Sequence, residues 1–338
     1  MDYDVLAFIG RFQPFHNGHK AVVDQALTRA KKVAIVIGSD GQPRNSRNPF
    51  TTAERIEMIR AVFPDEVRDG RIHFAAVPDH PYNMDRWIKE VTAKVQQIAQ
   101  TPFTPDPVKI GLIGHSKDHT SFYLKSFPTW GSIEVENVAG INATDIREDY
   151  FRSDTRFQTW MLPNAVADQM RRFSHYTELQ SEFYFISDYK AQFASYPYPP
   201  TFHTVDAVVT QSGHILLVKR GAHPGKGLWA LPGGFLEQTE TLREGMLREL
   251  KEETRIAVPL PVLDGSVRGW RTFDDPHRSL RGRTITTAFH VDLRHDTTLP
   301  KIKGSDDAVK AQWVPLANLS RSAMFEDHYA IIETTLGI

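Results

Sequence analysis

L-P-G-G-F-L-E-Q-T-E-T-L-R-E-G-M-L-R-E-L-K-E-E-T-R-I, Leu231 to Ile256, is the stretch that decides how the second half of the chain is built. Gly234 is followed after five residues by Glu240, and seven more lead to Arg248-Glu249-Leu250-Lys251-Glu252-Glu253. On a helix of about 3.6 residues per turn, positions 249, 252 and 253 fall on one face, so three carboxylates crowd together. Thr241 and Glu244 have capping-box spacing and predict that the helix starts there. Leu242, Met246, Leu247 and Leu250 supply an apolar stripe to dock it. Like charges at this density need cations among them: Lys251 and Arg248 lie close in sequence, and a hard divalent ion suits oxygen ligands.

A bare E-x-x-E-E is also what a solvated acidic helix face looks like. The full pattern G-x5-E-x7-R-E-U-x-E-E, with U aliphatic, fixes seven positions across twenty residues and argues against that reading. The stretch resembles the Nudix box of hydrolases that cleave a nucleoside diphosphate linked to another moiety. It departs from the family at Arg255, where a glycine normally relaxes the turn leaving the helix.

At 338 residues the chain has room for two ordinary domains. Hydrophobic content of 41% and charged content of 24% are those of a globular protein. A net charge of -1 gives no global pull toward nucleic acid or anionic membranes, so neither is expected as a partner. Without cysteine there are no disulfides, thiolate zinc sites or cysteine nucleophiles. The acidic start Met1-Asp-Tyr-Asp4 is too polar for a signal peptide, no apolar run reaches the roughly 18 residues that span a bilayer, and a cytoplasmic protein is expected.

From the N-terminus, buried strands are predicted at Val5–Ile9, Val33–Ile37, Ile72–Val77, Lys109–Ile113 and Ile133–Val138. Between them lie helical patterns after His19, at Thr51–Phe63, at Asp85–Ala99, around Ser121–Phe127 and at Thr144–Phe151, with a Pro-rich loop at Pro102–Pro107. Strands alternating with helices imply a doubly wound parallel sheet that binds ligands at the strands' C-terminal ends. Helices near Pro163–Phe173 and Thr177–Phe193 follow, then Ser195-Tyr-Pro-Tyr-Pro-Pro200 as a linker. Beyond it the pattern turns to β: Thr204–Thr210, Ile215–Lys219, Leu228–Leu231, Val267–Phe273, Thr284–Leu293 and Gln312–Val314, with a last helix near Met324–Leu336. The domains expected are 1–185 and 203–338, joined by 186–202.

The G-R-F-Q-P-F-H-N-G-H stretch, Gly10 to His19, follows a predicted strand and opens a helix. A helix N-terminus suits phosphate, imidazoles can donate to phosphate oxygens, and Gly18 lets the backbone come close. Read alone, His16 and His19 are equally two surface histidines; a zinc pair lacks an evident third ligand. The whole stretch resembles the H-x-G-H nucleotidylyltransferases, which implies a Rossmann-like fold. N-P-F-T-T-A-E-R, Asn48 to Arg55, is similar to a segment of archaeal-type nicotinamide mononucleotide adenylyltransferases. N-A-T-D-I-R, Asn142 to Arg147, stands where the superfamily has S-x-T-x-[IV]-R, with Asn142 replacing the serine.

That resemblance covers about residues 3–175 and implies roles. Arg11, His16, His19 and Arg147 hold the ATP triphosphate with Thr144, Arg47 closes over phosphates from its loop, and Arg55 belongs to the nucleotide segment. Asn83 and Trp87 stand where the family stacks nicotinamide, although Trp87 also reads as a core residue of an amphipathic helix. Chemistry there requires alignment, Mg²⁺ and cationic donors rather than covalent help.

The two resemblances in this order match a fused family, nicotinamide mononucleotide adenylyltransferase with a Nudix hydrolase of α/β/α-sandwich fold acting on ADP-ribose. ATP, nicotinamide mononucleotide, NAD and ADP-ribose are the partners implied, with room for a homo-oligomer. Glu249 and Glu253 are implied ligands of Mg²⁺ or Mn²⁺, Glu252 a further ligand or base, and Arg248 their orienter with Glu240 as its partner. F-D-D-P-H-R-S-L-R-G-R-T, Phe273 to Thr284, looks like that family's substrate loop, and Arg278, Arg281 and Arg283 are candidates to meet phosphates, or else a solvated basic loop. Trp270 is the nearest aromatic to that loop that could stack a ring. Reference carboxylate pKa values near 4 predict hydrolysis that weakens below about pH 5. Two other readings are an adenylyltransferase for another phosphorylated acceptor and an ADP-ribose-sensing regulator. The intact glutamates and the lack of a basic helix-turn-helix oppose the regulator.

Overall fold

The computed structural model describes residues 1–100, 107–114, 126–136, 140–152, 158–293, 298–303 and 308–338. It divides into two compact units, Met1–Gln180 and Ser181–Ile338. Among the described residues no helix is long and apolar enough to cross a membrane.

In the first unit β1 (Tyr3–Gly10) leads through α1 (Asn17–Arg29) to β2 (Ala30–Ile37). Then come α2 (Thr52–Val62), α3 (Pro64–Arg68), β3 (Ile72–Ala76), α4 (Met84–Ala99), β4 (Ile110–Gly114), β5 (Gly131–Glu134), α5 (Ala143–Arg152) and α6 (Asn164–Arg171). The five strands pair in parallel in the order β3-β2-β1-β4-β5. Val5, Ala7, Ile9, Ala34 and Val36 bury one face against Val91 and Val95 of α4. These strands are apolar runs, as expected where helices cover both faces. The order reverses beside β1, so the crevice at its C-terminal end, where α1 begins, is the topological switch point.

Two expectations shift here. The last strand runs over 131–134, not 133–138, and its nominal continuation at 137–138 lies outside the described residues. The helix expected around Ser121–Phe127 and the loop at 102–106 fall largely outside them too.

α7 (Tyr176–Ala191) spans the sequence boundary between the units. In the second unit its Glu182 carboxylate accepts the Gly225 N–H at 2.9 Å. The Pro-rich stretch leads into β6 (Thr201–Gln211) and β7 (His214–Arg220), followed by β8 (Trp229–Ala230), β9 (Gly233–Phe235), α8 (Leu242–Thr254), α9 (Leu260–Gly265), β10 (Val267–Phe273), β11 (Arg283–Asp292), β12 (Ala308–Pro315) and α10 (His328–Leu336). The sheet runs β10-β11-β6-β7-β12, with β8 on β7 and β9 on β6. Within it β11 and β6 are parallel over ten residues.

The Thr241/Glu244 capping box is present, and Met246 and Leu250 are fully buried against Val205, Ala207, Val209 and Phe289. Leu242, expected in that stripe, is 38% exposed because it sits in the first turn, outside the sheet contact. Lys251 does not neutralise the carboxylates: its Nζ donates to the Ile256 and Val258 carbonyls at 2.8 and 2.6 Å, tying down the chain beyond the helix. α10 starts at His328 rather than Met324 because Glu326 adopts φ 44°, which a right-handed helix cannot accommodate.

Candidate active sites

At the end of β1 the chain turns so that His16 becomes the N-cap of α1. Its Nδ1 accepts the His19 N–H, and the His19 Nδ1 accepts the His16 N–H, both at 3.3 Å. With both Nδ1 atoms accepting, the neutral tautomer carries its proton on Nε2, so each ring presents an Nε2–H donor. The imidazoles stack at 3.5 Å between centroids and 22° between planes, and Phe12 and Phe15 lie 4.9 and 5.6 Å from the His19 ring. A Cβ on Gly18 would sit 3.0 Å from the His16 Nδ1, which is why the small residue is needed between the two histidines.

Arg11, Arg47 and Arg147 converge on this helix start. Burial, then repulsion from Arg11 and Arg47, pulls the Arg147 guanidinium down to about 9. Burial and Arg47 pull Arg11 down to about 10, with Asp79 the opposing acid. Three mutually repelling cations at a helix N-terminus form a site for a polyanion. Arg147 is aimed by the Gln13 carbonyl (2.7 Å) and the Thr144 hydroxyl (3.2 Å). Asn142 caps the start of α5 by accepting the Thr144 and Asp145 N–H groups, both at 3.0 Å.

Arg55 occupies a different position from the one expected of a substrate contact. It is 1% exposed and donates to the Arg11, Gly38, Ser39 and Thr51 carbonyls and the Thr52 hydroxyl. It fastens the ends of β1 and β2 to the start of α2 and shapes the crevice from behind. Gln13, which sequence reasoning passed over, does similar work by exchanging two hydrogen bonds with the Phe50 backbone at 2.8 and 2.9 Å. Asn83 caps α4 by accepting the Arg86 N–H at 3.1 Å, and Trp87 is half-buried against the core beside Phe127.

The second unit's site is a cavity of about 370 Å³ between β6, β7, β9, α8 and the segment before α10. Glu249, Glu253 and Asp206 line it together with Arg220, Arg278, Arg281, Glu326 and His328. Gly233 and Gly234 are there for close approach: a Cβ at the first would strike the Val205 carbonyl and Asp206, and at the second the Glu249 carboxylate. The Gly233 N–H donates to Glu253 at 3.0 Å.

Burial, with Glu249 and Asp206 alongside, pushes the Glu253 carboxyl up to about 8, and burial raises Glu249 as well. Arg248 grips Glu240 through two bonds of 2.6 and 2.9 Å while also donating to Glu249 (2.8 Å), Glu252 (3.1 Å) and the Phe235 carbonyl (3.2 Å). Buried acids that resist ionisation fit a divalent cation, which would restore their charge. Among the described residues the carboxylates are not gathered into a finished cage, since Glu249 and Glu252 are turned to Arg248. Glu252 is 55% exposed at its side chain and outside the cavity lining.

The loop arginines separate. Arg281 lines the cavity. Arg278 also lines it, but its guanidinium is buried in a two-bond pair with Asp327 at 2.9 and 3.0 Å. Arg283 donates to the Asp274 carbonyl at 2.6 Å and lies outside the lining. Trp270, on the edge strand β10, is 67% exposed and is not a cavity residue. Asp206, Glu326 and His328 escaped notice because each is a single residue in an apolar or loop stretch, with no motif around it.

The Cytidylyltransferase-like family matches residues 7–149 and the NUDIX domain family residues 200–334. A nicotinamide/nicotinic acid mononucleotide adenylyltransferase from Acinetobacter baylyi is 41% identical over 150 residues, 44% of this chain and 76% of its own. An ADP-ribose pyrophosphatase from Methanocaldococcus jannaschii is 37% identical over 129 residues, 38% of this chain and 69% of its own. A crystal structure of a bifunctional NMN adenylyltransferase/ADP ribose pyrophosphatase from Francisella tularensis, complexed with AMP and a manganese ion, superposes with TM-score 0.92 at 35% identity over 99% of both chains.

Proposed function

The chain belongs to the family of bifunctional nicotinamide mononucleotide adenylyltransferase/ADP-ribose pyrophosphatases, and from that premise we propose what each unit does and with which residues. The first unit transfers the adenylyl group of ATP to nicotinamide mononucleotide, giving NAD and pyrophosphate; the second hydrolyses ADP-ribose to AMP and ribose 5-phosphate. The observation that carries the assignment is that each unit holds its own site, one cationic at a helix N-terminus and one combining carboxylates with arginines.

In the first unit, a phosphate oxygen of the mononucleotide attacks the α-phosphorus of ATP, and the bond to the β-phosphate oxygen breaks. Arg11, Arg47 and Arg147 hold the triphosphate and take up charge that builds on the departing pyrophosphate. His16 and His19 donate Nε2–H bonds to those oxygens, with Thr144 keeping Arg147 in place. Asn83 and Trp87 line the acceptor's side. Binding the anion also removes the repulsion among the three arginines, so part of the affinity comes from relief of that strain.

In the second unit, Glu249 and Glu253, with Glu252 as a further ligand or base, would hold Mg²⁺ or Mn²⁺. When bound, that ion polarises the diphosphate and supports attack by water. Arg248 orients the carboxylates, and Arg281 lines the same cavity on the substrate's side. Arg278 and Asp327 form a fixed pair behind it. The adenylyltransferase is assigned to Met1–Gln180 and the hydrolase to Ser181–Ile338.

The test is two assays on the purified chain: NAD and pyrophosphate formed from ATP and nicotinamide mononucleotide, and AMP released from ADP-ribose with added Mg²⁺. Both are expected. A chain that adenylates only a different phosphorylated acceptor would overturn the first assignment.

A further inference from the structure

We propose that Phe235 and Arg281 form the subsite that takes the nucleobase of the second unit's substrate. This rests on the reading of that unit as a hydrolase of an adenosine diphosphate derivative. Phe235 directly follows the glycine pair and lines the cavity, yet its ring is 41% exposed. An aromatic ring left open at a cavity wall offers a ligand ring a surface to stack on.

The ring is nevertheless held in place. Its backbone pairs with Thr204 in the sheet, and its carbonyl accepts from Arg248 at 3.2 Å. Phe202 packs against it edge to face, at 5.8 Å and 70°, and is backed in turn by Phe193 at 5.3 Å and 68°. The Arg281 guanidinium lies 5.3 Å from the Phe235 ring centroid, and its Nε is buried without a hydrogen-bond partner. The guanidinium sits over one face of the ring, and this cation–π pair presents flat faces against which a base can stack. The unpartnered Nε–H is a donor in waiting for an acceptor atom on the ligand.

The placement also explains how base recognition and cleavage stay in register. Arg248 bonds the Phe235 carbonyl and the Glu249 carboxylate at once, so the stacking surface and the hydrolytic carboxylates are fixed to one guanidinium. Trp270, the nearest aromatic to the loop in sequence, is not in the cavity lining, and Phe325 is engaged by Arg220 at 4.0 Å from its centroid.

The experiment is steady-state hydrolysis of ADP-ribose by the full-length chain and its Phe235→Ala, Phe235→Tyr and Arg281→Lys variants, with inhibition by AMP and by ribose 5-phosphate. For Phe235→Ala the KM and the AMP inhibition constant should rise about tenfold or more. Its kcat should change little, and inhibition by ribose 5-phosphate should stay as in wild type. Phe235→Tyr should restore both constants, and Arg281→Lys, which keeps the charge and loses the plane, should raise KM. An unchanged KM in Phe235→Ala, equal loss of AMP and ribose 5-phosphate inhibition, or failure of Phe235→Tyr to rescue would overturn the subsite. Wild-type chain inactive on ADP-ribose but active in adenylyl transfer would instead overturn the substrate reading, and the subsite with it.

Discussion

Arg248 and Glu240 face each other through two parallel hydrogen bonds, Nη2 to Oε1 at 2.6 Å and Nε to Oε2 at 2.9 Å. The pairing joins the loop after β9 to the carboxylate face of α8, eight residues apart in sequence. It leaves the remaining Arg248 nitrogen to steer Glu249 and Glu252. Arg248 thereby acts on the reaction through other residues, as a positioning group.

Glu240→Gln should therefore lower hydrolysis of ADP-ribose about 10- to 100-fold, the usual cost of losing a partner behind a ligand. Adenylyl transfer should be untouched, and the metal concentration giving half-maximal hydrolysis should rise. Hydrolysis equal to wild type at limiting metal would contradict the role.

The Glu253 carboxyl, pushed up to about 8 from 4.5, sets a pH dependence with a definite sign. Folding binds this proton more tightly than the unfolded chain does, so the stability it contributes is complete below about 4.5. It is lost as pH rises through about 8. In chelator the second unit should lose thermal stability across that window, and Glu253→Gln should flatten the profile. Since the ionised form holds a cation, hydrolysis at limiting Mg²⁺ should climb toward pH 8, well above the limit near 5 that reference values suggest. Thermal melts and rate profiles that ignore this window would contradict the burial argument.

Arg255 ends α8 at φ 44° and ψ 35°, the left-handed conformation that favours glycine. Arg255→Gly should stabilise the second unit by about 0.5–1 kcal/mol, the strain removed less the added freedom of the unfolded chain. Hydrolysis should be unchanged. Denaturant midpoints measured on both proteins decide it, and a lower midpoint for the glycine variant would mean that the arginine side chain contributes more than its backbone costs.

Much of this was legible in the residues themselves. Local spacing announced the Thr241 capping box and the strand-to-helix turn at Gly10–His19, because those relations involve neighbours in sequence, while the Arg248–Glu240 pairing was implied by the resemblance to the Nudix box. What was not legible depended on distant partners. Nothing around Arg278 says that Asp327, 49 residues on, occupies its guanidinium. Nothing around Arg55 says that the backbone carbonyls just past β1 and β2, of Arg11 and Gly38, enclose it. The parallel pairing of β11 with β6 brings the Thr286 hydroxyl to Asp206 at 2.5 Å, and no motif in the sequence links those two residues. Burial, and with it the displaced Glu253 titration, belongs to the same class.

The central claim is that one chain carries two independent sites, and the most direct measurement assays both reactions on His19→Ala and Glu253→Gln. His19→Ala should lose adenylyl transfer by at least about 100-fold and hydrolyse ADP-ribose like wild type. Glu253→Gln should do the reverse. Loss of both reactions from either variant, with its melting profile still native, would contradict the claim.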